Sequence, residues 1–168
     1  GEGNARLRSP ANVCAEMLRL GRAHGARTFR FTDPGAPGFH VASLAQTMNT
    51  QHMAVRYARP LQLCTTQPES AALLRESGCL ACSIRADSGS QRLLSDYYGR
   101  ESSVTQAEAL LRACIAADMF TVAEFTYPCP ADDYHARAET VRVIERTRPN
   151  AVSVGLPHLS PLTNWFDC

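Results

Sequence analysis

The chain has 168 residues, 45% of them hydrophobic and 20% charged, with a formal net charge of +1. That is enough for one domain with a packed core, and the near-neutral balance gives no electrostatic case for a nucleic-acid partner or an acidic membrane surface. No apolar run is long enough to span a bilayer, and the opening GEGNARLRSP lacks the apolar centre of a signal peptide.

In chain order, SPANVCAEMLRLGRAHGA predicts a helix, with Ser9 as N-cap and Pro10 as its first residue. TFRFTDP reads as a short strand, GAPGF as a loop and HVASLAQTMNTQ as a second helix. AVRYARPLQLC contains a strand in which Pro60 marks an end or a bulge. PESAALLRESGC is a helix stopped by Gly78, and LACSIRAD is the next strand. VTQAEALLRACIAAD is a helix whose Thr105 and Glu108 have the spacing of a capping box. FTVAEFTY is a strand, ADDYHARAETVRVIERTRP a long helix and AVSVGLP the last strand.

Repeated helix–strand alternation implies parallel strands joined by right-handed crossovers. Five such strands make an open doubly wound sheet or an arc of a barrel, and in both the chemistry belongs at the C-terminal strand ends. Those ends are Asp33-Pro34, Arg59-Pro60, Asp87-Ser88, Tyr127-Pro128 and Pro157-His158.

All 17 basic residues are arginine, which excludes chemistry that needs a lysine amine. Seven cysteines without a secretory leader point to a reducing compartment, the cytoplasm. Cys79-x-x-Cys82 has a metal-knuckle spacing. Cys79 falls at a helix-to-strand turn and Cys82 inside a strand, and no second pair completes a site, so both read as small core residues.

Four stretches carry a resemblance. ESGCLACSIRADSGSQRLL, VAEFTYPCPADD, FRFTDP and LPHLSPLTNWF are similar, in order and spacing, to the fourth-, fifth-, second- and sixth-strand regions of radical S-adenosylmethionine (SAM) enzymes, especially those carrying a cobalamin-binding domain. The resemblance implies an α/β fold of repeated βα units, a partial TIM-like barrel with a parallel sheet. It implies a four-iron four-sulfur (4Fe-4S) cluster and SAM at the barrel top, where SAM is cleaved to methionine and a 5'-deoxyadenosyl radical. Cobalamin would belong to a full-length protein. By the same resemblance Asp87 and Ser88 face the SAM ribose or its amino acid part, Phe125, Tyr127 and Pro128 run along adenine, and Val154 to Leu156 close the adenine pocket. Asp33 and Arg59, both at strand ends, join the set of cofactor-binding candidates, Arg59 as a binder of carboxylate or phosphate or as a structural ion pair.

The departures from the family pattern are specific. Its C-x-x-x-C-x-x-C is absent, since the cysteines stand at 14, 64, 79, 82, 114, 129 and 168, which leaves the cluster without its usual ligands. Asp87 stands where glutamate is usual, and Arg85 and Pro128 replace glycines. The chain therefore reads as a single domain that is a portion of a radical SAM barrel, without the first strand and cluster loop, and inactive alone. The alternative is a non-catalytic α/β binding or assembly module that keeps the scaffold. A third reading is another barrel enzyme using Asp33 and Asp87 as acid and base. Expected partners are the remainder of the barrel or a companion domain, a small-molecule substrate, and further copies of the chain through the exposed sheet edges. Asp132 and Asp133 read as helix caps rather than metal ligands, Cys129 as an unliganded thiol and His158 as a surface residue. Trp165 and Phe166 read as a cover for the barrel mouth or as packing.

Overall fold

The computed structural model describes residues 6–33 and 35–157. Pro34, His158, Trp165, Phe166 and Cys168 lie outside them. Eleven elements follow in order. They are α1 Pro10–His24, β1 Thr28–Arg30, α2 Gly38–Thr50, β2 Arg56–Leu61, α3 Ser70–Glu76, β3 Cys79–Asp87, α4 Gln91–Asp96, α5 Val104–Ala116, β4 Phe120–Thr126, α6 Tyr134–Thr147 and β5 Ala151–Gly155.

The five strands form one sheet, ordered β1-β2-β3-β4-β5 and parallel throughout. This order decides between the two architectures left open by the sequence. When every crossover is right-handed and each strand lies beside its predecessor, all helices fall on the same face. A doubly wound sheet would reverse its strand order at some point. The fold is therefore the partial-barrel arc of repeated βα units.

Side chains alternate between the two faces, and the register makes each face legible. One row runs Leu61, Ile84, Ala123, Val152. Its first three members are buried in the core with Leu74, Met48, Leu110 and Leu111 from the helices. Cys14, Cys79, Cys82 and Cys114 belong to this same core. The opposite face carries Pro60, Ser83, Val122 and Ala151 in one row and Arg85, Glu124 and Ser153 in the next.

Several local expectations hold. Ser9 caps α1 by accepting from the Asn12 N–H, with Pro10 at the first turn. Gly78 stops α3 at φ 98°, and a Cβ there would stand 2.1 Å from the Val55 carbonyl oxygen, so only glycine turns the chain so closely.

Others are corrected. The cap of α5 is Ser103, not Thr105, and its reciprocal partner is Gln106. Glu108 is committed instead to Arg112 and Arg146. The strand containing Pro60 neither ends nor bulges there. It continues to Leu61, and its irregularity lies between Tyr57 and Ala58. Arg56 donates to Arg27 and Ala58 accepts from Phe31, so even-numbered β2 residues face β1. The missing N–H of Pro60 falls beyond Arg30, where β1 has ended, and removes no ladder bond. α4 was not anticipated. It is a six-residue turn of helix held by burial of Leu93 and Leu94.

Candidate functional site

The C-terminal end of β3 departs from regular strand geometry. Arg85 pairs with Glu124 and Asp87 with Phe125, so Ala86 is an extra residue on β3. A bulge of this kind re-aims the following side chain. Asp87 then adopts φ 57°, a left-handed conformation that aspartate tolerates better than most residues.

Its carboxylate is 5% exposed and held from two sides. Thr126 donates to Oδ1 at 3.1 Å. Arg100 donates to Oδ2 through Nε at 2.8 Å and through Nη2 at 2.7 Å. A carboxylate accepts at about four lone-pair sites, so these three bonds leave one site on Oδ1. Ser88 accepts from the Ser90 N–H at 3.1 Å and keeps its own hydroxyl hydrogen to donate. Gly89 donates to the Thr140 hydroxyl at 2.9 Å. A Cβ at Gly89 would lie 2.4 Å from the Thr140 Cα, so a side chain there would push this turn off α6.

The resulting cavity measures about 280 Å³. Asp87, Ser88 and Thr126 line its polar end, while Leu93, Phe125, Val141, Ile144 and Val154 form apolar walls. Tyr127, Asp132, Arg137 and Thr140 complete it. The volume is at the small end for ligand pockets, and the mixture of apolar walls with a few convergent polar groups is what such pockets show.

Of the residues expected from the sequence, Asp87, Ser88, Phe125, Tyr127 and Val154 meet in this cavity. Pro128 and Leu156 are exposed and stand outside its lining. Asp33 and Arg59 form a separate cluster. Arg59 shares a row with buried Cys82 and Thr121 on the helix-covered face. Its Nη2 lies 3.7 Å from Asp33 Oδ2, and its guanidinium sits 4.9 Å from the centre of the Phe31 ring. Burial pushes Arg59 below the ordinary arginine range, and the nearby Asp33 opposes that shift. Asp33 also accepts from the Gly35 N–H at 2.9 Å, which organises the loop after β1.

Thr126, Arg100 and the α6 residues escaped the sequence reading. Arg137, Thr140, Val141 and Ile144 have the spacing of one helical face, a signal that was present but unread. Asp133 caps α6 as expected, accepting from the Ala136 N–H at 2.8 Å. That hydrogen bond, aided by Arg92, holds its carboxyl below the usual range. Asp132 does not share this role and faces the cavity instead.

Cys79, Cys82 and Cys114 neighbour one another inside the core, apart from Cys64 and Cys129. Cys79 is pushed up to about 12, first by burial and then by nearby Cys82. Cys114 is pushed up by its hydrogen bond to Cys82 and by burial. Cys129 is buried beside Leu93 and Ala136, and Cys64 is exposed. Among the described residues no three His, Cys, Asp or Glu side chains stand together as a metal site requires. The described cysteines therefore do not fit a 4Fe-4S cluster, which needs thiolates converging on one loop or pocket. The cavity, by contrast, combines apolar walls with a carboxylate and a hydroxyl that keep hydrogen-bonding capacity to spare.

The sheet order, the single helix layer and the cavity at the C-terminal strand ends together define a partial barrel of βα units, a fold shared with solved radical SAM enzymes. The particular structures it resembles bear this out. The radical SAM methyltransferase TsrM from Kitasatospora setae, with tryptophan substrate and the SAM analogue aza-SAM bound, superposes with a TM-score of 0.78 at 21% identity over 89% of this chain. The same enzyme with cobalamin and a 4Fe-4S cluster gives 0.76 at 22% identity. Coproporphyrinogen III oxidase HemN from Escherichia coli, a radical SAM enzyme, gives 0.66 at 16% identity over 92% of this chain. The chain spans 30% of the first TsrM structure, 31% of the second and 39% of HemN. No protein-family model and no curated protein matches it. No helix among the described residues is long and apolar enough to cross a membrane.

Proposed function

We propose that the chain is a portion of a radical SAM enzyme which in complete form uses a 4Fe-4S cluster to cleave SAM for radical chemistry or methyl transfer. Alone it is inactive and supplies the nucleoside-binding part. The observation that carries this reading is the meeting of Asp87, Ser88, Phe125, Tyr127 and Val154 in one cavity on a fold shared with such enzymes. Asp87 and Ser88 hold the ribose through the open Oδ1 site and the Ser88 O–H. Phe125 and Val154 pack on the adenine. Pro128 and Leu156 then act at the rim, and Asp33 and Arg59 stabilise the neighbouring strand ends rather than touching the nucleoside. Cobalamin belongs to a further domain of the complete protein. The remainder of the barrel is the natural partner, and the reducing cytoplasm suits the unpaired thiols.

A second reading, the non-catalytic binding module, draws on the lack of a metal-ligand cluster among the described residues and on the Arg100 clamp that occupies most of Asp87.

Calorimetry with S-adenosylhomocysteine tests the proposal. Weak binding is expected, reduced by Asp87→Ala more than by Asp132→Ala, with Asp87→Asn retaining the fold as a control. The reverse ranking would place the nucleoside elsewhere. Anaerobic iron and sulfide should yield no stoichiometric cluster that responds to SAM, and a stable responsive cluster would overturn the view that the thiols are structural. Light scattering on the same samples should show dimers or larger species at micromolar concentration through the edges β1 and β5. A strict monomer would count against association through these edges.

A further inference from the structure

α2 and α3 pack on each other and end just before β2 and β3 begin, at the opposite end of the sheet from the cavity described above. A second cavity of about 290 Å³ lies at these helix ends, lined by Met48, Asn49, His52, Met53 and Glu76. Two of these residues occupy places that their types do not favour. α2 closes in a Schellman turn, in which the His52 N–H donates to the Asn49 carbonyl and the Met53 N–H to the Met48 carbonyl, both at 3.0 Å. The left-handed position of such a turn usually holds glycine, as Gly25 does after α1 at φ 69°. After α2 it holds His52 at φ 50°, where a side chain is strained. Glu76 is the last residue of α3, at the negative end of the helix dipole, which disfavours a carboxylate. Neighbouring Arg75 is turned away to Asp118, 3.1 Å from its carbonyl and 3.4 Å from its carboxylate. α2 has no basic residue in its last turn. Among the described residues the side chains of Asn49, His52 and Glu76 make no hydrogen bond or ion pair.

We propose that this cavity binds the ammonium group of a small primary alkylamine. Two helix C-termini and one carboxylate make its potential negative, which selects a cation. A metal ion is the poorer fit. Only His52 and Glu76 in the lining are of the usual ligand types, and no group of three stands together among the described residues. A primary ammonium needs hydrogen-bond acceptors instead. It has three N–H donors, and the lining offers three acceptors: the Glu76 carboxylate, Asn49 Oδ1 and a ring nitrogen of neutral His52. The contact with Glu76 is charge-assisted and the strongest of the three. Met48 and Met53 add flexible thioether side chains that adapt to an alkyl chain. The protein has no lysine, so no side chain of its own carries such a group, and the small volume suits a short free amine. This site goes beyond the nucleoside reading and stands without it.

Titration of the full chain with n-butylamine, followed through backbone amide chemical shifts, tests this. The shifts should concentrate at residues 48–53 and at Glu76 and should saturate with a Kd of about 1–10 mM. Tetramethylammonium carries the charge without an N–H donor, and n-butanol carries the chain without the charge. Each should bind about tenfold or more weakly than butylamine. Glu76→Gln should weaken butylamine binding about tenfold or more, with Asn49→Ala and His52→Gly acting in the same direction by smaller factors. Without amine, Glu76→Gln and His52→Gly should each raise the unfolding midpoint. One removes a charge from the unfavourable helix end, and the other puts glycine into a left-handed turn. Loss of binding together with a gain in stability marks residues kept for a ligand rather than for the fold. The proposal is overturned by the lack of a saturable shift at these residues, by equal binding of tetramethylammonium, or by an affinity that ignores Glu76→Gln. A lowered midpoint in both variants overturns it too, since the two residues would then be holding the helix ends in place.

Discussion

The middle of the sheet and its last strand are built from the same row of residues and reach opposite states. Ile84 on β3 is 0% exposed, and Val152 on β5, two strands along the same row, is 41% exposed. β3 and β4 lie beneath α5 and α6, and their row packs against Leu110, Leu111 and Val143. β5 has β4 on one side and no neighbouring strand on the other among the described residues. The chemistry divides along the same line. The cavity opens where α6 meets β4 and β5, with Val141 and Val154 exposed at its border. A βα arc concentrates stability at its centre and leaves its edge apolar and accessible, which suits a ligand or another part of a larger protein.

The largest test of that contrast is a pair of truncations. Ile84→Ala removes a fully buried side chain and should cost about 2–5 kcal/mol. Val152→Ala, half in solvent, should cost no more than about 1 kcal/mol. Urea unfolding of the two variants measures the difference through the transition midpoint. Equal losses would mean that the β5 edge is covered in solution, and the self-association proposed above would then be the first explanation to examine.

A smaller effect should appear at high pH. Cys79, at the start of β3, has its thiol pushed from an ordinary 9.0 up to about 12 by burial and by Cys82. In this range the folded chain binds more protons than the unfolded chain, so stability falls as pH rises. The contribution of the neutral thiol is complete below about pH 9 and is lost progressively between 9 and 12. Unfolding midpoints at pH 8 and pH 10 should therefore differ. Since Cys14 is raised by burial and Cys114 by Cys82 and burial as well, about a third of that difference should be abolished in Cys79→Ala, which cannot ionise. A pH dependence unchanged by this substitution would show that Cys79 is hydrated in the native state and that the centre is looser than its burial indicates.

Much of this architecture was legible because its signals are long. Five apolar strand segments alternating with periodic helices leave few arrangements under right-handed crossover. The β3 turn was legible too, since a polar Asp-Ser-Gly-Ser after an apolar run marks a strand end. Three things were not. The role of Arg100, thirteen residues after Asp87, depends on a connection folding back, for which no local pattern exists. The division of strand-end residues between the cavity and the Asp33–Arg59 cluster depends on which face each one takes. One bulge at Ala86 is enough to change that phase. The polar row on the opposite face was hidden because Arg85 and Glu124 stand 39 positions apart and become neighbours only through register.

The smallest expected effect concerns a choice that local sequence leaves ambiguous. SSVTQAE contains two overlapping capping boxes, Ser103 with Gln106 and Thr105 with Glu108. In the structure Ser103 accepts from the Gln106 N–H at 3.2 Å, and the Gln106 side chain accepts from the Ser103 N–H at 2.7 Å. Val104 donates to the Gln91 side chain at 3.0 Å, which ties the start of α5 to α4. Glu108 is drawn away by Arg146 on α6 and by Arg112 one turn on. Long-range partners thus decide between boxes of equal local merit. Ser103→Ala should lower stability by about 1 kcal/mol, the usual cost of losing a cap. Thr105→Ala, inside the helix, should stay within about 0.5 kcal/mol of the parent. The comparison needs only the midpoints of two urea titrations. Should Thr105→Ala prove the more costly, α5 begins two residues later in solution, and the link from Gln91 to its first turn is not made.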